Sequence, residues 1–258
     1  MNNILIQGIK FDEKSSYQQG PSKAPALIRE ALHCGSSNLF TEELVSIDSP
    51  GIADKGDFKI SEYVDIEKIT EKHLESGAKI LTLGGDHSIT FPIIKAHSRK
   101  YPSLDILQID AHCDLYDSFE GDKYSHACPF ARIMENGFAA RLVQVGIRTL
   151  NPHQAEQAEK YQVEIHQMKD LNISSIPAFK NPLYISLDMD GFDPAFAPGV
   201  SHHEPGGLTS RQVIGLIQGI DTEVIGADIV EYNPDRDFQN MTAFLAAKMM
   251  KEILGKML

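Results

Sequence analysis

Short apolar runs alternate with amphipathic segments along almost the whole chain of 258 residues. The apolar runs have the length and composition of buried strands, and they are Asn3–Ile9, Lys79–Leu83, Leu104–Ile109, Leu142–Ile147, Pro182–Leu187 and Glu223–Val230. Segments with helical spacing lie between or beside them, and these are Ala24–Leu32, Asp65–Gly77, Ile89–His97, Ala127–Asn136, Pro152–Tyr161, Ser210–Gly219 and Met241–Leu258. This alternation predicts an α/β fold with a mostly parallel β-sheet and helices on both of its faces.

The chain shows no internal repeat, low-complexity tract or linker, so one domain over residues 1–258 is expected. The segment from Cys34 to Asp57 is rich in Ser, Gly, Pro and Asp and has little periodicity. We therefore expect an irregular surface excursion there.

Acidic residues outnumber basic residues by 36 to 24, which gives a formal charge of -12. A nucleic acid or an anionic membrane requires a basic surface, so the charge argues against both partners and favours a cation or metal ions. The cysteines Cys34, Cys113 and Cys128 are few and widely spaced. They predict neither disulfides nor a cysteine-based zinc site. With no signal-like amino terminus and no long apolar run, we expect a cytoplasmic protein.

Acidic residues and histidines follow several predicted strands at the point where each strand ends. The strand Leu104–Ile109 is followed by Asp110, His112 and Asp114, which would share one face on an extended backbone, with Cys113 on the other. Parallel strands bring their carboxyl ends to one edge of a sheet, where ligands bind. The residues that we expect at this edge are His87, Asp110, His112, Asp114, Asp188, Asp190 and Glu231.

Four carboxylates and two imidazoles are more ligands than one metal ion requires. Oxygen-rich ligation with some nitrogen suits Mn²⁺ or a similar divalent ion, and four carboxylates balance the charge of two such ions. Without metal, the clustered carboxylates would repel one another. The set therefore favours a two-metal site formed by His87, Asp110, His112, Asp114, Asp188 and Asp190.

Each of these motifs also has an ordinary structural explanation. Asp86 and Ser88 could cap a following helix and leave His87 without a role, and an Asp-x-Asp sequence at a strand end is commonly a turn. A metal-binding scaffold without catalysis is a further alternative. The joint occurrence of the motifs favours the metal site.

Three motifs together resemble the signatures of the ureohydrolase (arginase/agmatinase) family. They are Gly84–Ser88 (GGDHS), Asp110–Asp114 (DAHCD) and Ser186–Pro194 (SLDMDGFDP). Phe119–Ala127 and Ala197–His202 are similar to stretches of the plant-type arginases. The resemblance implies a three-layer α/β/α sandwich around a parallel sheet, and assembly as a homotrimer or homohexamer.

The resemblance also implies two Mn²⁺ ions per subunit and a small cationic guanidino substrate. One ion would be held by His87, Asp110, Asp114 and Asp188. The other would be held by Asp110, His112, Asp188 and Asp190. By the same resemblance, Glu231 would pair with the guanidinium and His126 would shuttle protons. The implied reaction is hydrolysis of a guanidino group to urea and an amine. Taken without the family, Glu231 would be a capped strand end and His126 a helix-start histidine.

Substrate choice is open between two classes. The long matching segments favour an arginase, which converts L-arginine to L-ornithine and urea. Animal arginases carry an Asn where Tyr116 stands and an acidic residue where Asn151 stands, so their recognition of the amino-acid end does not carry over. Agmatinases have a tyrosine near the place of Tyr116 and a segment like residues 204–209. The alternative is therefore an agmatinase or another guanidino or formimino hydrolase, with His202, His203 or Glu204 near the distal end of the substrate.

Overall fold

The computed structural model describes residues 3–176 and 178–258. Its strands are β1 (Ile4–Lys10), β2 (Ile52–Lys59), β3 (Lys79–Leu83), β4 (Asp105–Ile109), β5 (Arg141–Ile147), β6 (Glu164–Gln167), β7 (Leu183–Asp188) and β8 (Val224–Val230). Its α-helices are α1 (Ala24–Leu32), α2 (Asp65–Leu74), α3 (Thr90–Lys100), α4 (Pro129–Glu135), α5 (Pro152–Tyr161), α6 (Ser210–Gln218) and α7 (Met241–Met257).

All eight strands form one sheet in the order β2-β1-β3-β8-β7-β4-β5-β6, and every pair of neighbouring strands is parallel. The strands β4, β7 and β8 are buried along their whole length. Burial on both faces explains why these strands read as near-continuous apolar runs. The prediction of a mostly parallel sheet is confirmed.

The helices cover the two faces of the sheet in separate layers. Side chains of α1, α6 and α7 share one apolar core with the sheet, and α2, α3, α4 and α5 contribute to a second core on the other face. In α7, Leu245, Met249 and Ile253 point into the first core. Full burial of each such side chain contributes about 1.5–3 kcal/mol. The three-layer α/β/α sandwich is therefore confirmed.

Two edge strands differ from the expectations. Strand β2 (Ile52–Lys59) overlaps the segment that we expected to be irregular, and that prediction was wrong for residues 52–57. Strand β6 was not predicted at all. Both have incompletely buried side chains throughout, because an edge strand has only one neighbour and needs no apolar run. The assignment of one domain to residues 1–258 stays a prediction.

The four neighbouring strands β3, β8, β7 and β4 end at the same edge of the sheet, where the predicted site residues follow them. Two glycines allow the backbone segments there to approach closely. A Cβ on Gly85 would lie 1.7 Å from the carbonyl oxygen of Phe11, and one on Gly191 would lie 2.9 Å from the backbone nitrogen of Asp110. In the described residues, no helix is long and apolar enough to cross a lipid bilayer.

Candidate active site

The segment after β4 brings its polar side chains together by a turn. Strand β4 ends at Ile109, and Asp114 adopts a left-handed backbone conformation with φ 50°. The extended backbone on which these side chains would share one face therefore ends before residue 114. The backbone N–H of His112 donates to Oδ1 of Asp110 at 2.6 Å, which closes the turn and orients the Asp110 carboxylate.

The segment after β7 is built in a similar way. Asp188 is the last residue of the strand, and its Oδ1 accepts the backbone N–H of Asp190 at 2.7 Å. A single 3-10 turn, Met189–Gly191, follows. Oδ1 of Asp190 accepts the backbone N–H of Ala111 at 3.2 Å. This bond ties the turn after β7 to the turn after β4.

All six predicted metal ligands meet in two adjoining clusters. In the first, Nδ1 of His87 lies 3.1 Å from Asp110, 3.0 Å from Asp114 and 3.1 Å from Asp188. In the second, Nδ1 of His112 lies 3.0 Å from Asp190 and 3.6 Å from Asp110. Asp110 presents Oδ2 to His87 and Oδ1 to His112. A carboxylate with one oxygen in each cluster is suited to bridge two metal ions.

The surroundings of His87 test whether the clusters fit cations. Its Nδ1 is fully buried and has no hydrogen-bond partner, although three carboxylate oxygens surround it. Nε2 of the same ring lies 2.9 Å from the hydroxyl of Ser186. An imidazole with its proton on Nε2 would turn a lone pair toward three acceptors, and that arrangement requires a positive charge between them. The donor set therefore fits divalent metal ions, and it could hold two.

The pKa values of the clustered carboxylates also indicate a site suited to cations. Burial, followed by repulsion from Asp110, raises the pKa of Asp114 to about 6. Burial and repulsion from Asp190 raise the pKa of Asp188 well above its usual range. Burial opposes ionisation of Asp110 as well, but the neighbouring imidazoles of His112 and His87 lower its pKa. Cations at this position would keep all of these carboxylates ionised at neutral pH.

Glu231 and His126 form a hydrogen-bonded pair beside the clusters. Glu231 follows β8 directly and has φ 62°, a strained conformation that persists only when surrounding contacts hold it. Its Oε1 accepts the backbone N–H of His87 at 2.9 Å and lies 2.9 Å from Nδ1 of His126. Both bonds go to one oxygen, so Oε2 is the oxygen available to a ligand.

His126 is oriented from its other side by the loop that follows β1. In the neutral ring, Nε2 accepts the backbone N–H of Ser16 at 3.2 Å, and it also lies 2.8 Å from the Ser16 hydroxyl. Burial disfavours a charged imidazole, but the Glu231 carboxylate outweighs it and raises the pKa of His126 to about 9. The ring can therefore carry and release a proton next to the metal clusters.

A cavity of about 180 Å³ opens beside these groups. Its lining includes Tyr116 and His202 from the predicted substrate contacts, with His202 packed 5.2 Å from the ring of His126. Asn151, His203 and Glu204 are not part of the lining. Asn151 instead caps α5 and donates to the Tyr116 hydroxyl at 2.6 Å.

Five further lining residues were not predicted as site residues, namely Ser16, Phe119, Ala127, Thr149 and Gln154. None carries a side chain that ligates metal or titrates near neutral pH, so composition and spacing gave no signal for them. Gln154 is buried, and its Oε1 has no hydrogen-bond partner in the described chain. A buried acceptor of this kind indicates that a donor belongs beside it.

Comparisons with known proteins agree with this geometry. The sequence model of the Arginase family matches residues 2–255. "Arginase, mitochondrial" from Medicago truncatula is 44% identical to this chain over 98% of it and 81% of the relative. The solved structure of an arginase from Medicago truncatula has a TM-score of 0.92 and 41% identity, covering 99% of this chain and 87% of that one. The agmatine ureohydrolase of Thermoplasma volcanium has a TM-score of 0.87 and 30% identity, with 99% and 90% covered.

Proposed function

This chain belongs to the arginase family, and from that premise we propose that it hydrolyses the guanidino group of L-arginine to L-ornithine and urea. The observation that carries the proposal is the pair of His–carboxylate clusters joined by Asp110, with Glu231 and His126 beside them. Relatives named arginase and agmatine ureohydrolase support the same reaction class.

We propose that the two clusters hold two Mn²⁺ ions. His87, Asp110, Asp114 and Asp188 would hold one ion. Asp110, His112, Asp188 and Asp190 would hold the other. Divalent ions at this position supply Lewis-acid chemistry and lower the pKa of water, so that hydroxide is available at neutral pH. The backbone bonds to Asp110, Asp188 and Asp190 hold the carboxylates ready in position.

Glu231 would bind the reacting group of the substrate. Its Oε1 is held by His87 and His126, and its free Oε2 can accept an N–H of a guanidinium. A charge-assisted hydrogen bond of this kind contributes about 1.5–3 kcal/mol. It places the planar cation next to the metal clusters.

His126 would supply the proton that the departing amine needs. Its Nδ1 contacts Glu231, and the ring lines the cavity. Once a guanidinium neutralises Glu231, the main cause of the raised pKa of His126 is weakened, so the ring gives up its proton more readily. Hydrolysis would break one C–N bond and leave urea and a protonated amine.

The cavity lining favours a substrate whose distal end carries no net charge. The charged lining groups lie in the metal clusters or in the Glu231–His126 pair, whereas Tyr116, Thr149 and Gln154 are neutral. The amino-acid end of arginine pairs an ammonium with a carboxylate, so it carries no net charge. Agmatine would place a lone ammonium there with no carboxylate assigned to it. It is the alternative substrate, supported by Tyr116 and by the Thermoplasma volcanium relative.

The test is a panel of arginine, agmatine, guanidinobutyrate and formiminoglutamate offered to the Mn²⁺-loaded protein, with urea or formamide release measured. We expect the highest kcat/KM with arginine. A higher value with agmatine would assign the alternative, and no hydrolysis of any substrate despite bound Mn²⁺ would support a non-catalytic scaffold.

A homotrimer or homohexamer and a cytoplasmic location stay predictions, and the Medicago truncatula relative is named as mitochondrial.

A further inference from the structure

A row of polar side chains crosses the centre of the sheet at one level. The strand register pairs Thr82 with Asp228, Asp228 with Ser186, and Ser186 with Gln108. These four side chains lie on neighbouring strands β3, β8, β7 and β4, and all are fully buried. Buried polar groups in the middle of a parallel sheet are costly unless they are bonded. An apolar row at this level would stabilise the fold at lower cost, so a role for these side chains beyond folding is indicated.

Asp228 is the charged member of this row and does not line the substrate cavity. Its Oδ2 accepts the hydroxyls of Thr90 and Tyr184, each at 2.9 Å. Its Oδ1 accepts the hydroxyl of Ser186 at 2.7 Å. Three hydroxyl donors keep this buried carboxylate satisfied.

The bond from Ser186 determines which nitrogen of His87 carries a proton. An ionised carboxylate only accepts hydrogen bonds, so the Ser186 hydroxyl must give its proton to Asp228. The Ser186 oxygen, 2.9 Å from Nε2 of His87, then has only lone pairs to offer and requires a proton on Nε2. A neutral His87 with its proton on Nε2 presents a bare Nδ1 to Asp110, Asp114 and Asp188.

We infer that Asp228 is a positioning residue that acts through Ser186 to hold His87 in the tautomer and orientation needed to bind metal. The inference rests on the proposed metal site and adds a residue that never touches substrate or metal. Phe130 restrains the ring from the side, with the two rings nearly perpendicular at 5.2 Å. Packing does not distinguish the two ring nitrogens, so it cannot select the tautomer of His87. Asp228 selects it through the hydrogen bond from Ser186.

The test compares Asp228→Asn with Thr90→Val. The amide of Asp228→Asn has no charge and offers one acceptor oxygen to three hydroxyls, so the bond to Ser186 is weakened or reversed. Thr90→Val keeps the shape of the side chain and removes a bond to Oδ2, leaving the Asp228–Ser186–His87 path intact. The Mn²⁺ dissociation constant is read from the electron paramagnetic resonance signal of free Mn²⁺. We expect Asp228→Asn to raise it about 10- to 100-fold and Thr90→Val to change it by less than about threefold.

A positioning role also predicts the kinetics. At saturating Mn²⁺, kcat for urea release by Asp228→Asn should return to near the parent value, whereas the Mn²⁺ concentration for half-maximal activity should stay raised. An unchanged Mn²⁺ dissociation constant in Asp228→Asn would overturn the inference, and so would an equal loss in Thr90→Val. If Asp228→Asn does not fold, Ser186→Ala removes the same path, and unchanged Mn²⁺ binding in it would refute the inference. Failure of the parent protein to bind Mn²⁺ would instead refute the proposed metal site.

Discussion

Replacing Glu231 by Gln removes a charge at the cavity while keeping the shape of the side chain. The amide Oε1 can still accept from the backbone of His87 and from Nδ1 of His126, so the turn after β8 should keep its conformation. The amide NH₂ then occupies the position of Oε2 and faces the guanidinium as a donor. One charge-assisted hydrogen bond is lost, worth about 1.5–3 kcal/mol. We therefore expect kcat/KM for arginine to fall about 10- to 150-fold, with Mn²⁺ content unchanged.

The same variant should move the pH profile. Glu231 is the main group that raises the pKa of His126 against the effect of burial, so the pKa of His126 should fall in Glu231→Gln. Because the protonated ring is the form that donates, the basic limb of kcat/KM should shift to lower pH. Glu204→Gln is the matched control outside the cavity lining, and we expect kcat/KM within about twofold of the parent. Parent-like kinetics for Glu231→Gln would refute the assigned role of Glu231.

Further predictions concern the metal site and the fold. Asp190→Asn should lower the bound Mn²⁺ per chain from two to one and abolish urea release, as measured by metal analysis and assay; full activity would contradict the two-metal proposal. Gly191→Ala should weaken Mn²⁺ binding in a calorimetric titration, because its Cβ would lie 2.9 Å from the backbone nitrogen of Asp110. Burial lowers the pKa of His97 from 6.5 to about 4. Between pH 6.5 and 4, His97 is therefore protonated in the unfolded chain but neutral in the folded chain. The free energy of unfolding should therefore fall by about 3 kcal/mol as the pH is lowered from 6.5 to 4. Urea titrations of the His97→Gln variant should show a decrease that is smaller by this amount.

The sequence predicts the layers of this fold better than the arrangement of its strands. The core strands are apolar runs such as Lys79–Leu83 and Val224–Val230, and their burial makes them recognisable. Apolar runs resemble one another, however, so no pattern showed that these two strands are neighbours. Strand β2 was not predicted because it contains polar residues such as Asp54 and Asp57 in place of an apolar run. Both carboxylates pair with Arg29 of α1. An edge strand of this kind is stabilised by ion pairs and backbone bonds rather than by an apolar pattern.

The site likewise contains residues that the sequence could predict and residues that it could not. The candidate metal ligands could be predicted because carboxylates and imidazoles at strand ends are chemically distinctive, and the structure brings all six together. Ser16 and Gln154 could not be predicted, since both carry common polar groups and lie far from the metal motifs in sequence. Ser16 reaches the cavity from the loop after β1, and Gln154 reaches it from the first turn of α5. Asp228 lies within an apolar run, and only the strand register shows that it stands beside Ser186.

Activity measured against bound Mn²⁺ tests the central proposal most directly. The metal-free protein is titrated with Mn²⁺ while urea release from arginine is followed, and bound metal is quantified at each point. We predict that activity appears with added Mn²⁺ and reaches its plateau at two ions per chain. Urea release that persists in the metal-free protein, or a chain that binds two ions and releases no urea from any guanidino substrate, would contradict it.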